Sequence, residues 1–374
     1  MSSILYTGGM VLLWAIALLN GTGLGAAFRT TEYARLLALA VALLLFVGNI
    51  RSKRGRIVPL EYFLIVFLMA VLFFTTSYLQ GYNKIGLECL WVFLVTYIVS
   101  QTRPSHGDLY LVSLAYAVLG LAILFIWNYM SALDGWNPNS IAMIGLFSYL
   151  VFTIPYYGIR DVKSMIMISL VGAAYVYLIW PTDSRSCSIA IVLDLLIVFR
   201  VIPIEKMLKS KGLTYLALHI PLLVALFGCL LAATADMGAL NAWSLDEFGK
   251  TLFSGREETW KNAMTMISNK LLFGTGYVDV GIYHNSAVAC LVAYGVVGYS
   301  LWIGLFAIML KDVLPWRKDV CVAGAVSVFF VIFWQQSVEL GIFAASPNLI
   351  PYAVLGMMLA RSKALKEQEC QELV

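Results

Sequence analysis

The sequence of 374 residues has too few charged residues for a soluble protein of its size. Only 12% of the residues are Asp, Glu, Lys or Arg, whereas 61% are hydrophobic, and soluble domains carry about 25% charged residues. So few charges cannot cover a water-exposed surface. The composition therefore predicts a polytopic membrane protein, and it excludes a disordered chain, a disulfide-stapled secreted domain and a nucleic-acid-binding protein.

The sequence also lacks the motifs of metal and redox sites. Its six cysteines include no CxxC pair, and most lie in apolar runs, where a thiol behaves as a small hydrophobic group. No HExxH or DxD motif is present, and the acidic residues outside the apolar runs are dispersed. We therefore expect no carboxylate-held metal ion and no other cofactor, so a bound phosphate should depend on arginine.

Long apolar runs are abundant instead. A helix that crosses the hydrocarbon core needs about 20 predominantly apolar residues. This criterion predicts twelve spans, at about residues 4–20, 33–50, 59–78, 85–101, 107–129, 139–156, 164–180, 186–202, 214–233, 286–310, 319–338 and 348–361. The expected fold is all-α, with about 12 transmembrane helices that form a single transmembrane domain over residues 1–374.

The basic residues orient these spans. Most of the 25 lysines and arginines fall in one set of alternate loops, with clusters at 51–56 and 200–211. The positive-inside rule places this richer set in the cytoplasm. Both termini of the multi-pass chain are therefore predicted to be cytoplasmic, and the one long loop, residues 234–285, is predicted to be external.

The long loop is predicted to contain two short amphipathic helices followed by a turn at Gly274-Thr-Gly276. Ser244-Leu-Asp-Glu247 and Ser254-Gly-Arg-Glu257 each match a capping box, in which a serine and a glutamate satisfy the first N–H groups of a helix. The expected apolar faces consist of Leu245, Phe248 and Leu252 in the first helix and Trp260, Met264 and Ile267 in the second. Such helices are expected to lie on the membrane surface or against the bundle.

Three predicted external side chains are suited to bind or activate a substrate. Arg256 falls in the first turn of the second loop helix, where the helix N-terminus and the guanidinium both favour a phosphate; a pair with Glu257 is the alternative. Arg185 lies in an external turn, where a pair with Asp183 is the alternative. His284 is the only histidine predicted to be external, and it could act as a general base or simply bond to backbone.

Several of these residues occur in a pattern that resembles the O-antigen ligase and polymerase family, the Wzy- and WaaL-type enzymes of bacterial surface polysaccharide assembly. Ser254-Gly-Arg256-x3-Trp260, Leu272-Phe-Gly274-x-Gly276 and His284-Asn285-x9-Gly295-x2-Gly298 are similar to core motifs of that family. Asn137-Pro-Asn139 and Asp183-Ser-Arg185-Ser are similar to two further motifs. All of them occur in the family's order along the chain.

The resemblance implies a GT-C-like, metal-independent, inverting glycosyltransferase of the bacterial plasma membrane, with its active site on the external or periplasmic face. Such an enzyme moves a glycan from undecaprenyl diphosphate to an acceptor sugar hydroxyl during O-antigen or capsule assembly. Arg185 and Arg256 would hold the diphosphate, and His284 would act as a base or orient the acceptor. Further candidates for the acceptor side or the pocket wall are Asn139, Lys261, Tyr277 and Asn285.

The expected partners are the lipid-linked donor, a glycan or lipid-linked acceptor, the bilayer and other polysaccharide-assembly membrane proteins. The family contains polymerases and ligases, and the short loop slightly favours a polymerase because it leaves little room for a bulky lipid A core. A polysaccharide or lipid-linked sugar transporter, such as a flippase, is the alternative, since twelve spans with both termini inside also suit transport. No two-half repeat supports it, and the longest loop follows the ninth span.

The enzyme interpretation predicts two features of the tertiary structure. Arg185 and Arg256 should meet in one pocket, with His284 at its mouth on the water side. An apolar lateral opening should lie beside this pocket, so that a polyprenyl tail stays in lipid. Gly295, Gly298 and Gly304 are expected to thin the tenth span, which would form one wall of the opening with the eleventh.

Overall fold

The computed structural model describes residues 2–21, 60–79, 84–130, 137–276, 283–343 and 348–372, with the single positions 40, 44 and 81. Within these ranges the chain forms helices and no β-strand. Seven of the helices are long and apolar enough to cross a membrane. The chain is therefore a helical membrane protein, while the count of twelve spans and the GT-C-like topology remain predictions.

Helices occur at every predicted span that the structure describes; the predicted span at 33–50 lies outside the described residues except for positions 40 and 44. The helices are α1 (Ser2–Gly21), α2 (Leu60–Leu79), α3 (Lys84–Ser100), α4 (His106–Tyr129), α5 (Pro138–Thr153), α6 (Val162–Ile179), α7 (Arg185–Val198), α8 (Ile204–Met207), α9 (Lys211–Thr234), α10 (Met237–Phe248), α11 (Arg256–Asn269), α12 (Ser286–Val313), α13 (Val320–Gln335) and α14 (Leu349–Glu372). Short 3₁₀ turns follow α5, α6 and α12.

Helices α7 and α13 are shorter than a straight span requires. They contain 14 and 16 residues, so at about 1.5 Å per residue they are roughly 21 and 24 Å long, against a hydrocarbon core of about 30 Å. A polar segment adjoins each of them: Asp183 and Ser184 precede α7, and buried Gln336 and Glu339 follow α13. Non-helical backbone is tolerated at such depth only when protein or a polar cavity surrounds it. The short helices therefore leave room for a polar site between them.

The predicted long loop does contain two short helices, but neither begins at a capping box. Asp236 caps α10, because its carboxylate accepts a backbone N–H at 3.1 Å eight residues before the predicted cap. Ser244 lies inside the helix, and its hydroxyl donates to the Lys250 carbonyl beyond the helix end. The second helix, α11, begins after Gly255, whose left-handed backbone replaces a side-chain cap.

Helix α11 is amphipathic as predicted, and it packs against α9 and α12. Trp260 and Ile267 are buried, whereas Lys261 is exposed. Gly228 of α9 makes room for the indole, since a Cβ there would lie 2.6 Å from the Trp260 ring. Leu245 of α10 is 54% exposed, so it does not pack against the bundle. Leu252, predicted to share its face, lies beyond the end of α10 at Phe248, which corrects the extent of that face.

Helix α12 is broken at Gly295, and the segment 271–276 inserts into the break. Gly295 has φ 64° and ψ −167°, a conformation that is essentially restricted to glycine. Four backbone hydrogen bonds join the two segments. The N–H groups of Val296 and Val297 donate to the carbonyls of residues 271 and 272, and those of Thr275 and Gly276 donate to the carbonyls of residues 292 and 293. The inserted segment thus satisfies groups that the break releases, as the membrane interior requires.

The two glycine motifs of the sequence pack directly on one another. A Cβ at Gly274 would lie 2.4 Å from Tyr294 N, and a Cβ at Gly295 would lie 2.3 Å from Leu272 O. The Gly274 motif is therefore an insert within α12 as well as a turn. Gly295 breaks the helix instead of thinning it, which corrects the role expected for this residue.

We expect Gly295→Ala to lower the free energy of unfolding by roughly 3 kcal/mol or more. Alanine must adopt a glycine-only conformation, which costs about 1–3 kcal/mol, and its methyl group overlaps the Leu272 carbonyl. Gly304→Ala is the matched control, since its Cβ meets only Ile65 Cδ1 at 3.9 Å. Thermal unfolding in detergent measures both variants, and equal transition temperatures would contradict the account of the break.

Candidate functional site

One cavity of about 780 Å³ collects most of the predicted site residues. It forms where α7 and α11 begin, between His284, two residues before α12, and the segment after α13. Its lining includes Asn139, Arg185, Arg256, His284 and Glu339. The structure thus brings the two arginines and the histidine together, as expected from the sequence, while their roles in binding and catalysis remain predictions.

Arg256 is the first residue of α11, and its side chain reaches the segment after α13. Its Nη1 donates to the Val338 carbonyl, and its Nη2 donates to Glu339 Oε1 at 3.2 Å. The side chains of Arg256 and Glu339 are 18% and 11% exposed. This pair replaces the predicted alternative with Glu257. Because a guanidinium has five N–H donors, others remain for an anion in the cavity.

Arg185 opens α7 and reaches the turn that precedes α11. Its Nη2 lies 3.3 Å from Ser254 Oγ and 3.4 Å from the Thr251 carbonyl. Asp183 pairs with Lys250, so the predicted alternative pair of Asp183 with Arg185 does not form. Within the described part of the chain, no carboxylate lies at ion-pair distance from Arg185.

The cavity is lined by one more cationic side chain than carboxylates. Arg185, Lys250 and Arg256 face Asp183 and Glu339 there. Lys250 is paired with Asp183, and Arg256 is paired with Glu339. The charge of Arg185 is therefore the one that these carboxylates do not balance. A cavity with a net positive charge attracts anions, so this cavity is suited to an anion.

His284 faces the same carboxylate from another side. Its Nδ1 lies 3.6 Å from Glu339 Oε2, and its side chain is 35% exposed. The distance is longer than a hydrogen bond, but catalytic hydrogen bonds are often long before a substrate binds. With Nδ1 turned to Glu339, Nε2 is the ring nitrogen that remains for a substrate hydroxyl.

The backbone is strained at three positions that line the cavity. His284, Ser254 and Asp183 have φ values of 44°, 57° and 59°, which residues other than glycine rarely adopt. Surrounding contacts must hold such residues in place, and such strain clusters at functional sites. One of these contacts is the Trp260 indole, which donates to the Tyr283 carbonyl at 2.7 Å, immediately before His284.

Glu339, which connects Arg256 with His284, is a site residue that was not predicted from the sequence. Each of its carboxylate oxygens faces one of the two partners. A carboxylate behind a histidine orients the ring and stabilises the imidazolium that forms when the histidine takes a proton. A signal was present in the polar run Gln335-Gln-Ser-Val-Glu339, which ends the eleventh predicted span on the side predicted to be external.

Asn285 does not line the cavity, which corrects its predicted place on the acceptor side. It is fully buried and caps α12, with Oδ1 accepting two backbone N–H groups at 3.0 Å each. Its Nδ2 donates to the Pro221 carbonyl at 2.7 Å and to the Ser337 carbonyl at 2.9 Å. These contacts use both the donors and the acceptor of the amide, so in this structure Asn285 holds helix ends together.

Pro221 explains why helix ends meet at this point. A proline inside α9 cannot donate to the Ala217 carbonyl four residues earlier. The Trp334 indole of α13 supplies the missing donor at 3.0 Å, while Asn285 bonds the carbonyl of Pro221 itself. The proline therefore ties α9 to the end of α13 and to the start of α12, next to His284.

The other three predicted pocket residues have different outcomes. Asn139 lines the cavity at the start of α5, where Asn137 accepts its backbone N–H and caps the helix. Lys261 is not among the lining residues, because it lies on the exposed face of α11, and its predicted place in the pocket is corrected. Tyr277 lies outside the described residues.

Asn285→Ala is expected to lower the free energy of unfolding by about 2–4 kcal/mol, because it leaves buried donors and acceptors unpaired. Asn139→Ala is the control, since Asn139 is only partly buried, and its removal should change stability by less than about 0.5 kcal/mol. Thermal unfolding in detergent compares the two. An Asn285→Ala protein with unchanged stability would show that the amide serves something other than packing.

The site combines Arg185, which has no carboxylate at ion-pair distance, with a histidine that lies 3.6 Å from a carboxylate. In the described ranges, no group of three or more His, Cys, Asp or Glu side chains is placed to hold a metal ion, and the cavity lining includes the two arginines. The resemblance to the ligase and polymerase family depends on the motifs and their order. Comparison of the chain with protein-family models finds no match, and comparison with curated proteins finds none either.

Proposed function

We propose that the protein is a membrane glycosyltransferase that moves a glycan from undecaprenyl diphosphate to an acceptor sugar hydroxyl. The observation that carries this proposal is the cavity that joins Arg185, with its unbalanced charge, to Arg256 and the Glu339–His284 pair. Transfer from a diphosphate needs positive groups for the leaving oxygen and a base for the acceptor. This cavity offers both within one enclosure.

The reaction is a single displacement at the anomeric carbon of the donor sugar. The acceptor oxygen forms a bond to this carbon while the bond from the carbon to the diphosphate oxygen breaks. The electron pair of that bond leaves with the lipid diphosphate, whose new charge Arg185 and Arg256 stabilise. The acceptor proton passes to His284, Glu339 stabilises the imidazolium, and the proton then goes to water. Such a displacement inverts the configuration of the anomeric carbon.

Purified protein in nanodiscs is expected to convert a fluorescent undecaprenyl-diphosphate-linked glycan into a longer or transferred product. The rate should be the same with excess EDTA as with added Mg²⁺, because the arginines stabilise the leaving group. Gel separation of the glycans measures product. Activity that EDTA abolishes and Mg²⁺ restores would contradict the metal-independent mechanism, and the absence of product in every condition would contradict the transferase itself.

Within this proposal we favour a polymerase over a ligase. Helix α11 of the long loop packs on the bundle, so little of the loop is left to enclose a bulky lipid A core. The acceptor would then be another lipid-linked glycan, supplied at the face predicted to be external in a bacterial plasma membrane. Offering both acceptors to the purified protein separates the two activities, because a polymerase elongates the lipid-linked glycan and a ligase modifies the lipid A core.

A flippase for lipid-linked sugars is the second candidate, because it would need the same cations to bind a lipid diphosphate. Transport leaves the bond between glycan and phosphate intact, so it has no use for the Glu339–His284 pair beside those cations. Analysis of the products in the same assay distinguishes the two. Translocation without cleavage of the glycan–phosphate bond would favour the flippase.

A further inference from the structure

Two apolar grooves that open between helices lie in the described part of the bundle. The α6–α7 groove has a volume of about 470 Å³, and its lining includes Ala173, Trp180, Val192 and Leu195. The α2–α12 groove has a volume of about 640 Å³ and lies beside the inserted segment 271–276. A hydrocarbon chain could occupy either groove, so the connection of each groove to the charged cavity decides which one serves the site.

Helix α7 connects the α6–α7 groove to the charged cavity. Arg185, Ile189 and Val192 are spaced at i, i+4 and i+7, which places them on one face of the helix. Arg185 and Ile189 line the charged cavity, and Val192 lines the groove. Ile189 is 66% exposed and Val192 is 51% exposed. The face is therefore an open apolar strip that leads from the arginine to the groove.

Trp180 forms a second connection at the end of α6. It lines the groove and also a smaller cavity of about 300 Å³. This smaller cavity shares Asp183, Ser184 and Arg185 with the charged cavity. Trp180 is 73% exposed, and its indole stands between apolar and charged linings. Tryptophan is favoured at such borders because it has an apolar ring and a polar N–H.

We infer that the α6–α7 groove holds the polyprenyl chain of the lipid diphosphate while the phosphates bind at Arg185. The inference rests on the proposed function and assigns the position of the donor's tail. The groove follows α6 from Ser169 to Trp180, the residue after the helix end, a rise of roughly 16 Å at about 1.5 Å per residue. That length is about one leaflet of a hydrocarbon core of about 30 Å, so the tail stays in lipid while the head reaches the arginine.

The α2–α12 groove does not make this connection. Val297 and Leu301 of α12 line it, so it is the groove nearest to the wall expected from the tenth span. In the described part of the chain it shares no lining residue with the charged cavity or with the smaller cavity. A lipid in this groove would lack a described apolar path to Arg185, which makes the groove a matched control.

The test is photo-crosslinking of the full chain in nanodiscs to radiolabelled undecaprenyl diphosphate. The photoreactive p-benzoylphenylalanine replaces Ala173 in the α6–α7 groove, Thr75 in the α2–α12 groove or Ile189 in the charged cavity. All three positions are exposed and line their spaces, so a bulky side chain does not disturb the core. Thermal unfolding checks that each variant is folded.

We expect strong crosslinks at positions 173 and 189 and several-fold weaker ones at 75. Unlabelled undecaprenyl diphosphate should compete for them, undecaprenol should not, and Arg185→Gln should remove the crosslink at 173. As an independent readout, Ala173→Trp should raise the KM for the donor several-fold, whereas Thr75→Trp should leave it unchanged.

The outcomes separate this inference from the proposed function. A crosslink at 189 without one at 173 would overturn the tail position and leave the transferase proposal standing. Equal crosslinks at 173 and 75, both insensitive to Arg185→Gln, would show that the groove holds ordinary bilayer lipid and would also overturn the inference. No crosslink at any position would contradict both, because the charged cavity would then not bind the lipid diphosphate.

Discussion

Arg256→Lys is expected to reduce kcat/KM for transfer at least about a hundredfold, which corresponds to about 2.7 kcal/mol of transition-state stabilisation. Lysine keeps a positive charge beside Glu339, but it cannot bond the Val338 carbonyl, the carboxylate and a phosphate with one planar group. The largest loss should appear in the step that cleaves the donor, where charge develops on phosphate oxygen. Steady-state transfer of a labelled lipid-linked glycan measures the change.

Replacement of Arg256 by lysine tests its function more directly than replacement by alanine would. Arg256→Ala would leave the carboxylate of Glu339, whose side chain is only 11% exposed, without its cation. Breaking a buried pair in this way typically costs about 3–5 kcal/mol of stability, which would confuse a functional loss with a folding loss. Lys261→Ala is the control on the same helix, because Lys261 is exposed and does not line the cavity. Wild-type activity in Arg256→Lys would show that a point charge is sufficient.

His284→Ala is expected to reduce the transfer rate by about a hundredfold or more, the usual cost of removing a general base. The protein should remain folded and should still bind undecaprenyl diphosphate, because Arg185 and Arg256 are unchanged. His284→Gln separates the two roles, since glutamine can form hydrogen bonds but cannot take a proton at neutral pH. Near-normal turnover in the Gln variant would reject the base and keep an orienting role, and near-normal turnover in the Ala variant would reject both.

A variant of Glu339 tests the same assignment at the partner of His284. Glu339 faces both Arg256 and His284, so its replacement tests whether the carboxylate supports the histidine. Glu339→Gln should also reduce turnover, because the amide is neutral and stabilises an imidazolium less than a carboxylate does. Wild-type turnover in Glu339→Gln would show that the histidine works without its carboxylate.

Local patterns in the chain identified much of the site. Arg185, Arg256 and His284 stand at or next to helix starts, where turn residues and changes in apolar periodicity are visible in the sequence. Such positions are set by neighbours a few residues away, so they can be predicted without a tertiary structure. The capping boxes show the limit of this reasoning. Ser244 matches the motif, yet the helix already begins after Asp236, so that Ser244 lies inside it.

The sequence by itself determined that this protein resides in a membrane, because its charge deficit and apolar runs can be satisfied only in lipid. It also determined which polar residues are candidates for chemistry, since few occur near the ends of those runs. The tertiary structure alone decided that Arg256 pairs with Glu339, 83 positions away. It also decided that the amide of Asn285 bonds the ends of other helices and that the segment 271–276 packs into the helix break at Gly295. These outcomes depend on contacts between distant segments, and no local period or motif encodes such contacts.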